Sequence, residues 1–131
     1  MGKEEKKMEA AGDKLLRRIE TNIKHVALDI HANLVDPNEG TPRDTGWAAN
    51  NWVAQVGSAF RGLVGSRKRV DSSKAMNAGQ EISKWKSGSG PIFISNNVPY
   101  IGRLNAGSSS QAPAGFIEKA VQRAINALRR K

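Results

Sequence analysis

Two histidines, one acidic cluster and one run of serines are the groups in this chain with chemistry to offer. His25 and His31 lie six positions apart. On a single helix that spacing puts them on different faces, and the chain has neither a cysteine nor a His-Glu-x-x-His motif to complete a zinc site. They read as surface or packing histidines. Asp36, Glu39 and Asp44 gather near a turn, but the spacing of a calcium-binding loop is missing. Ser108, Ser109 and Ser110 have no base near them in sequence. The glycine runs at 87–90 and 102–107 are not followed by the Lys-Ser/Thr of a phosphate-binding loop. No catalytic, metal-binding or cofactor-binding constellation is expected, and the chain does not read as an enzyme.

What remains is a framework, and its periodicity is helical at both ends. Met8, Ala11, Leu15, Ile19, Ile23, Val26, Ile30 and Leu34 recur at spacings near three and four. They predict a helix over roughly 7–34, with residues 1–7 frayed. Such an apolar stripe must lie on a sheet or on a partner subunit. Asp36-Pro37-Asn38-Glu39-Gly40 stops the helix, and Asp44 or Thr45 can cap a short helical turn near Gly46. Trp52 to Val56 reads as a first strand. A second helix follows Asp71–Ser73 and carries Met76, Ile82 and Trp85. Ser87-Gly88-Ser89-Gly90 ends it. Ile92 to Ile94 is a second strand. The stripe Phe116, Ile117, Ala120, Val121, Ala124, Ile125, Leu128 predicts a last helix over about 113–129, opened by Pro113.

The expected fold class is α+β, a small antiparallel sheet packed against a long N-terminal helix and a C-terminal helix. Residues 1–131 form one domain, a length that fits a modest core. Ile23, Val26, Ile30, Trp52, Ile82, Trp85, Phe93, Phe116, Val121 and Ile125 are the expected core. Residues 57–70 lack periodicity and are rich in glycine, so a flexible loop is expected there. No apolar run reaches membrane-spanning length.

The formal charge is +9. That balance favours nucleic acid or an acidic protein as a neighbour. Arg61, Arg67, Lys68 and Arg69 sit in the predicted loop and are candidates for facing DNA or an acidic partner; contacts to phosphate carry no base readout. Trp47 follows a glycine in a polar turn, where an exposed aromatic can anchor an interface. Between Asn96 and Gly107, Tyr100, Ile101 and Leu104 are apolar among turn residues, and Arg103 stands between them. Water alone gives such side chains little reason to be there, so this segment and the turn from Thr41 to Trp47 are the expected interface; the alternative is that Tyr100 and Leu104 close the base of their own sheet. Arg103 is expected to reach an acidic group across it, with Asp44 the first candidate.

Three segments resemble the tail-completion, or head–tail joining, proteins of long-tailed bacteriophages, also described as minor tail or neck proteins. They are Thr41-Pro42-Arg43-Asp44-Thr45-Gly46, then Asn96-Asn97-Val98-Pro99-Tyr100 with Leu104 and Gly107, then Ala112-Pro113-Ala114-Gly115-Phe116. Their order and separation match that family over roughly residues 8–128. Two positions depart from its pattern: Asn105 stands where an acidic residue is frequent, and Trp47-Ala48 stand where a basic or polar residue precedes an apolar one.

The resemblance implies a structural role without a cofactor. Copies of the chain would form a homo-oligomeric ring, often hexameric, at the head-proximal end of the tail. The ring would meet the tail tube or tail terminator protein on one side and the head-completion or stopper protein on the other, with DNA passing through its lumen. The expected location is the virion neck, with assembly in the host cytoplasm. The competing reading is a DNA-binding architectural protein without sequence preference.

Overall fold

The computed structural model describes residues 2–42, 46–63, 73–107 and 114–130. The first helix, α1, runs Lys3–Leu34. It begins earlier than its apolar stripe because the charged start is itself good helix. Glu4 and Glu5 sit in the first turn, where they complement the helix dipole. It ends where Pro37 disfavours a helical Asp36. The Asp36 carboxylate then accepts the N–H groups of Asn38 (2.7 Å) and Glu39 (3.2 Å) and closes the turn.

A 3₁₀ turn at Ala49–Asn51 leads into strand β1, Val53–Val56. Helix α2 covers Ser73–Ser83 and strand β2 Ile92–Ser95. A short helix, α3, spans Ile101–Asn105, and α4 spans Phe116–Arg129. The strands pair antiparallel with Val53 opposite Ser95 and Val56 opposite Ile92. The fold is therefore α+β, a two-stranded antiparallel sheet packed with α1 and α4. A lone two-stranded sheet is marginal in water, so the helices must supply its second layer.

They do so through two clusters. In the first, Ala27 of α1, Ala54 of β1, and Ala78 and Ile82 of α2 meet, with Ile92 and Ile94 of β2 against them. In the second, Leu34, Trp52, Phe116 and Ala120 meet, with Ile30, Ile101 and Leu104 packed around. Small residues hold most of the closest positions. Ala120 and Ala124 are both fully buried, four apart on α4 with Phe116 one turn earlier, and they let α4 approach α1.

The expected core is corrected in part. Trp52, Ile82, Trp85 and Phe116 are buried. Val26, Ile30, Val121 and Ile125 are half-buried, and so is Phe93, whose place between Ile92 and Ile94 puts it on the opposite face of β2. Ile23 remains 40% exposed and lines an open apolar groove with Ile19, Ile92, Ile94 and Leu128. Residues 57–63 follow β1 with Gly57 donating to the Pro91 carbonyl (2.8 Å). The rest of the expected loop, 64–70, lies outside the described residues.

His31 is the buried titratable group of this framework. It is 3% exposed, and its Nε2 lies 3.3 Å from the Trp52 carbonyl. Burial holds the imidazole below its ordinary value, against a smaller upward pull from that hydrogen bond. The folded protein thus binds this proton less readily than the unfolded chain, where a free imidazole titrates at about 6.5. The stabilisation is complete above that pH and drains away as pH falls below it toward the folded value. The melting temperature is expected to drop between about pH 7 and about pH 5, and less steeply in His31→Gln. Equal slopes in the two proteins would remove His31 as the cause.

Candidate functional site

The C-terminus of α1 seats the first of the interface segments. Thr41 is 2% exposed, and both its N–H (2.8 Å) and its hydroxyl (2.7 Å) donate to the Leu34 carbonyl, which no residue of the helix satisfies. The same hydroxyl oxygen accepts the Trp52 indole N–H at 2.8 Å. One threonine therefore ties the helix end, the turn and the start of β1 together. Farther along, Asn50 and Asn51 are buried, and Asn51 Nδ2 donates to the Trp47 carbonyl (2.8 Å).

The second segment is held as tightly. Asn96 donates through Nδ2 to the Ala48 carbonyl (2.8 Å) and accepts the Val98 N–H through Oδ1 (3.0 Å). This links the two segments directly. Asn97 Nδ2 donates to the carbonyls of Phe60 (2.8 Å) and Gly62 (3.1 Å). Val98 is buried and Pro99 exposed. Beyond them Tyr100 lies against Trp47, ring centroids 5.6 Å apart and planes tilted by 59°, a favoured arrangement for aromatic rings.

Trp47 and Tyr100 are far apart in sequence, and the fold brings them together, both half-buried. Ile101 and Leu104 turn the other way and pack on the Leu34–Trp52–Phe116 cluster. They hold α3 against that cluster and remain partly exposed. Arg103 is exposed on α3. Asp44, its expected counterpart, lies outside the described residues, as do Arg67, Lys68 and Arg69; Arg61 is exposed.

Asn105 has a role that residue type alone did not disclose. Its Oδ1 accepts the Ile117 N–H (2.9 Å) and its Nδ2 donates to both Glu118 carboxylate oxygens (2.8 and 3.0 Å). Its carbonyl accepts the Gly115 N–H (2.7 Å). The side chain thus caps α4 from outside. Asparagine can accept and donate at once; aspartate would set a second carboxylate against Glu118. The cap also marks the start of α4 at Phe116; Pro113, expected to open it, lies outside the described residues. Gly115 has φ +84°, a left-handed conformation that breaks the helix before it.

A groove of about 440 Å³ opens along α4, lined by Asn38, Glu39, Phe116, Lys119, Gln122 and Arg123. Arg123 pairs with Glu39 and donates through Nη2 to the Asn33 carbonyl (3.4 Å). Its task is to fasten the turn after α1 to α4. Among the described residues no three His, Cys, Asp or Glu side chains gather in a metal-binding group. Among them, too, no helix is long and apolar enough to cross a membrane. No protein-family model, curated protein or solved structure matches the chain.

Proposed function

We propose that this chain is a structural virion protein, one subunit of a ring at the head-proximal end of a phage tail. It joins the tail tube or tail terminator to the head-completion protein and lets DNA pass. The observation that carries the reading is the Trp47–Tyr100 pair. Tyr100, in one of the segments on which the resemblance rests, meets Trp47, which directly follows another and departs from the family's pattern, in a partly exposed aromatic site, the type of residue that dominates protein–protein contacts. Arg103, exposed on the short helix that follows Tyr100, can supply a charge for the rim.

The test is Trp47→Ala with Tyr100→Ala. The lost pairing is worth about 0.5–1.5 kcal/mol beyond area, so the double variant is expected to remain folded. In a head–tail joining assay it should leave heads and tails separate. Normal joining by the folded variant would overturn the reading. The competing reading draws on the net charge and on Lys14, Arg17 and Arg18, which line one face of α1 with Thr21 and Asn22. It gains if the isolated protein binds DNA in a salt-dependent way and never associates with tails.

A further inference from the structure

We propose that one face of the N-terminal half of α1, carrying Lys7, Lys14, Arg17 and Arg18, is a contact surface for the phosphate backbone of duplex DNA, without regard to base sequence. The proposal rests on the neck reading for its ligand, DNA in transit through the ring; the surface itself is read from this chain's charges.

The first observation is segregation. At ~100° per residue, a single arc of about 100° holds Lys7, Ala10, Lys14, Arg17, Arg18 and Thr21 and no other residue between positions 7 and 22. The four cations are all exposed. The acids of the same stretch, Glu9, Asp13 and Glu20, share a line roughly 120° away. Glu20 is turned toward the body of the domain, where it accepts the Ser87 N–H at 3.3 Å. The face ends at Asn22, short of His25, which has a partner of its own.

The second observation is that these cations are left to one another. Lys14 stands three before Arg17 and four before Arg18, spacings at which like charges on a helix repel. Among the described residues no carboxylate comes within ion-pair distance of the four, not even Asp13, one turn before Arg17. By contrast Arg123 pairs with Glu39, and Lys24 donates to the Ser83 carbonyl at 3.2 Å. Lys14, Arg17 and Arg18 frame an open pocket of about 260 Å³ with Thr21 and Asn22, whose hydroxyl and carboxamide add hydrogen-bond donors. A row of phosphates would relieve the repulsion and use those donors.

The make-up of the face selects the occupant. It holds no aromatic and no apolar residue larger than Ala10, so a protein partner would find no anchor on it. An anionic bilayer would draw in the exposed stripe of Met8, Leu15 and Ile19 and bring Glu9 and Glu20 as close to its surface as the cations. Phosphate backbone asks only for exposed cations in a row. From Lys7 to Asn22 the face runs about 20 Å, longer than the ~12 Å width of the major groove, so phosphates on both edges lie within its reach.

The test is fluorescence anisotropy of the full chain with labelled duplexes of ~30 base pairs and two unrelated sequences, over about 50 to about 200 mM salt. Both sequences should bind equally, and the slope of log affinity against log salt should be about −3 to −4 for four phosphate contacts. Lys14→Gln with Arg17→Gln and Arg18→Gln should weaken binding at least about tenfold and flatten the slope by about 3. Arg17→Lys with Arg18→Lys should keep it, since a point charge suffices. Lys119→Gln with Arg129→Gln and Arg130→Gln removes the same charge from α4 and should leave affinity within about twofold. Circular dichroism checks that each variant is folded. No binding at the lowest salt overturns the proposal, as do equal losses in the two triple variants, which would make the attraction a matter of net charge. Binding to vesicles of phosphatidylserine and phosphatidylcholine in equal parts, with DNA ignored, overturns it in favour of a membrane. A protein that joins heads to tails without binding DNA refutes this surface and leaves the neck reading standing. One that binds DNA in the expected pattern and never attaches to tails upholds the surface and refutes the neck reading.

Discussion

Phe116→Ala is expected to lower the unfolding free energy by about 3–5 kcal/mol and the melting temperature by at least ~10 °C. Phe116 is 1% exposed and opens α4. Its ring meets Leu34 at the end of α1, Trp52 at the start of β1 and Ala120 one turn on, with Ile101 and Leu104 of α3 around them. Removing it opens a cavity where four elements converge, and the backbone caps on either side limit how far the walls can close. Val121→Ala on the same helix is the control. Val121 is half-buried, and the change should cost about 1 kcal/mol. Chemical denaturation of both variants decides the matter. A loss below about 1 kcal/mol for Phe116→Ala would place its ring outside the second cluster.

Part of this arrangement was open to reading in the sequence. Spacings of three and four marked α1 and α4 because that period follows directly from backbone geometry, while imperfect alternation marked β1 and a short run of β-formers marked β2. The alanine core was not legible. Ala27, Ala54, Ala78, Ala120 and Ala124 are buried, yet alanine is equally at home on an exposed helix face. Nor was α3, since Ile101–Asn105 is too short for its period to repeat. It holds because Ile101 and Leu104 reach the core and Asn105 reaches α4, contacts made far along the chain. The candidate site was half legible. Trp47 and Tyr100 were marked by being aromatic among turn residues, but their pairing depends on Asn96 tying β2 to Ala48. Ile101 and Leu104 carried the same mark and went inward.

The same chemical change at two glycines is expected to act in opposite directions. Gly40→Ala should cost about 3 kcal/mol, while Gly12→Ala should stabilise by about 0.5–1 kcal/mol. A methyl group on Gly12, in the exposed part of α1, would have nothing within 4 Å, so only the lost backbone freedom of the unfolded chain counts. On Gly40 a Cβ would stand 2.6 Å from the Asn33 carbonyl oxygen, 2.6 Å from that of Leu34 and 2.7 Å from that of Asp36. All three belong to backbone, which cannot rotate aside. The chain must back away, and the bonds it makes there go with it. Gly40 donates to the Asp36 carbonyl at 3.0 Å and Thr41 caps Leu34, while the Trp52 indole depends on the Thr41 hydroxyl. Buried donors left unpaired would each add to the cost of displacement. The consequence reaches the aromatic site, because Thr41 fixes the near end of the turn that carries Trp47. A Gly40→Ala protein held folded at low temperature should therefore lose head–tail joining as the Trp47–Tyr100 double variant does. Equilibrium unfolding of the two glycine variants side by side is the measurement. Gly40→Ala within about 1 kcal/mol of wild type would mean that the turn does not press against the end of α1.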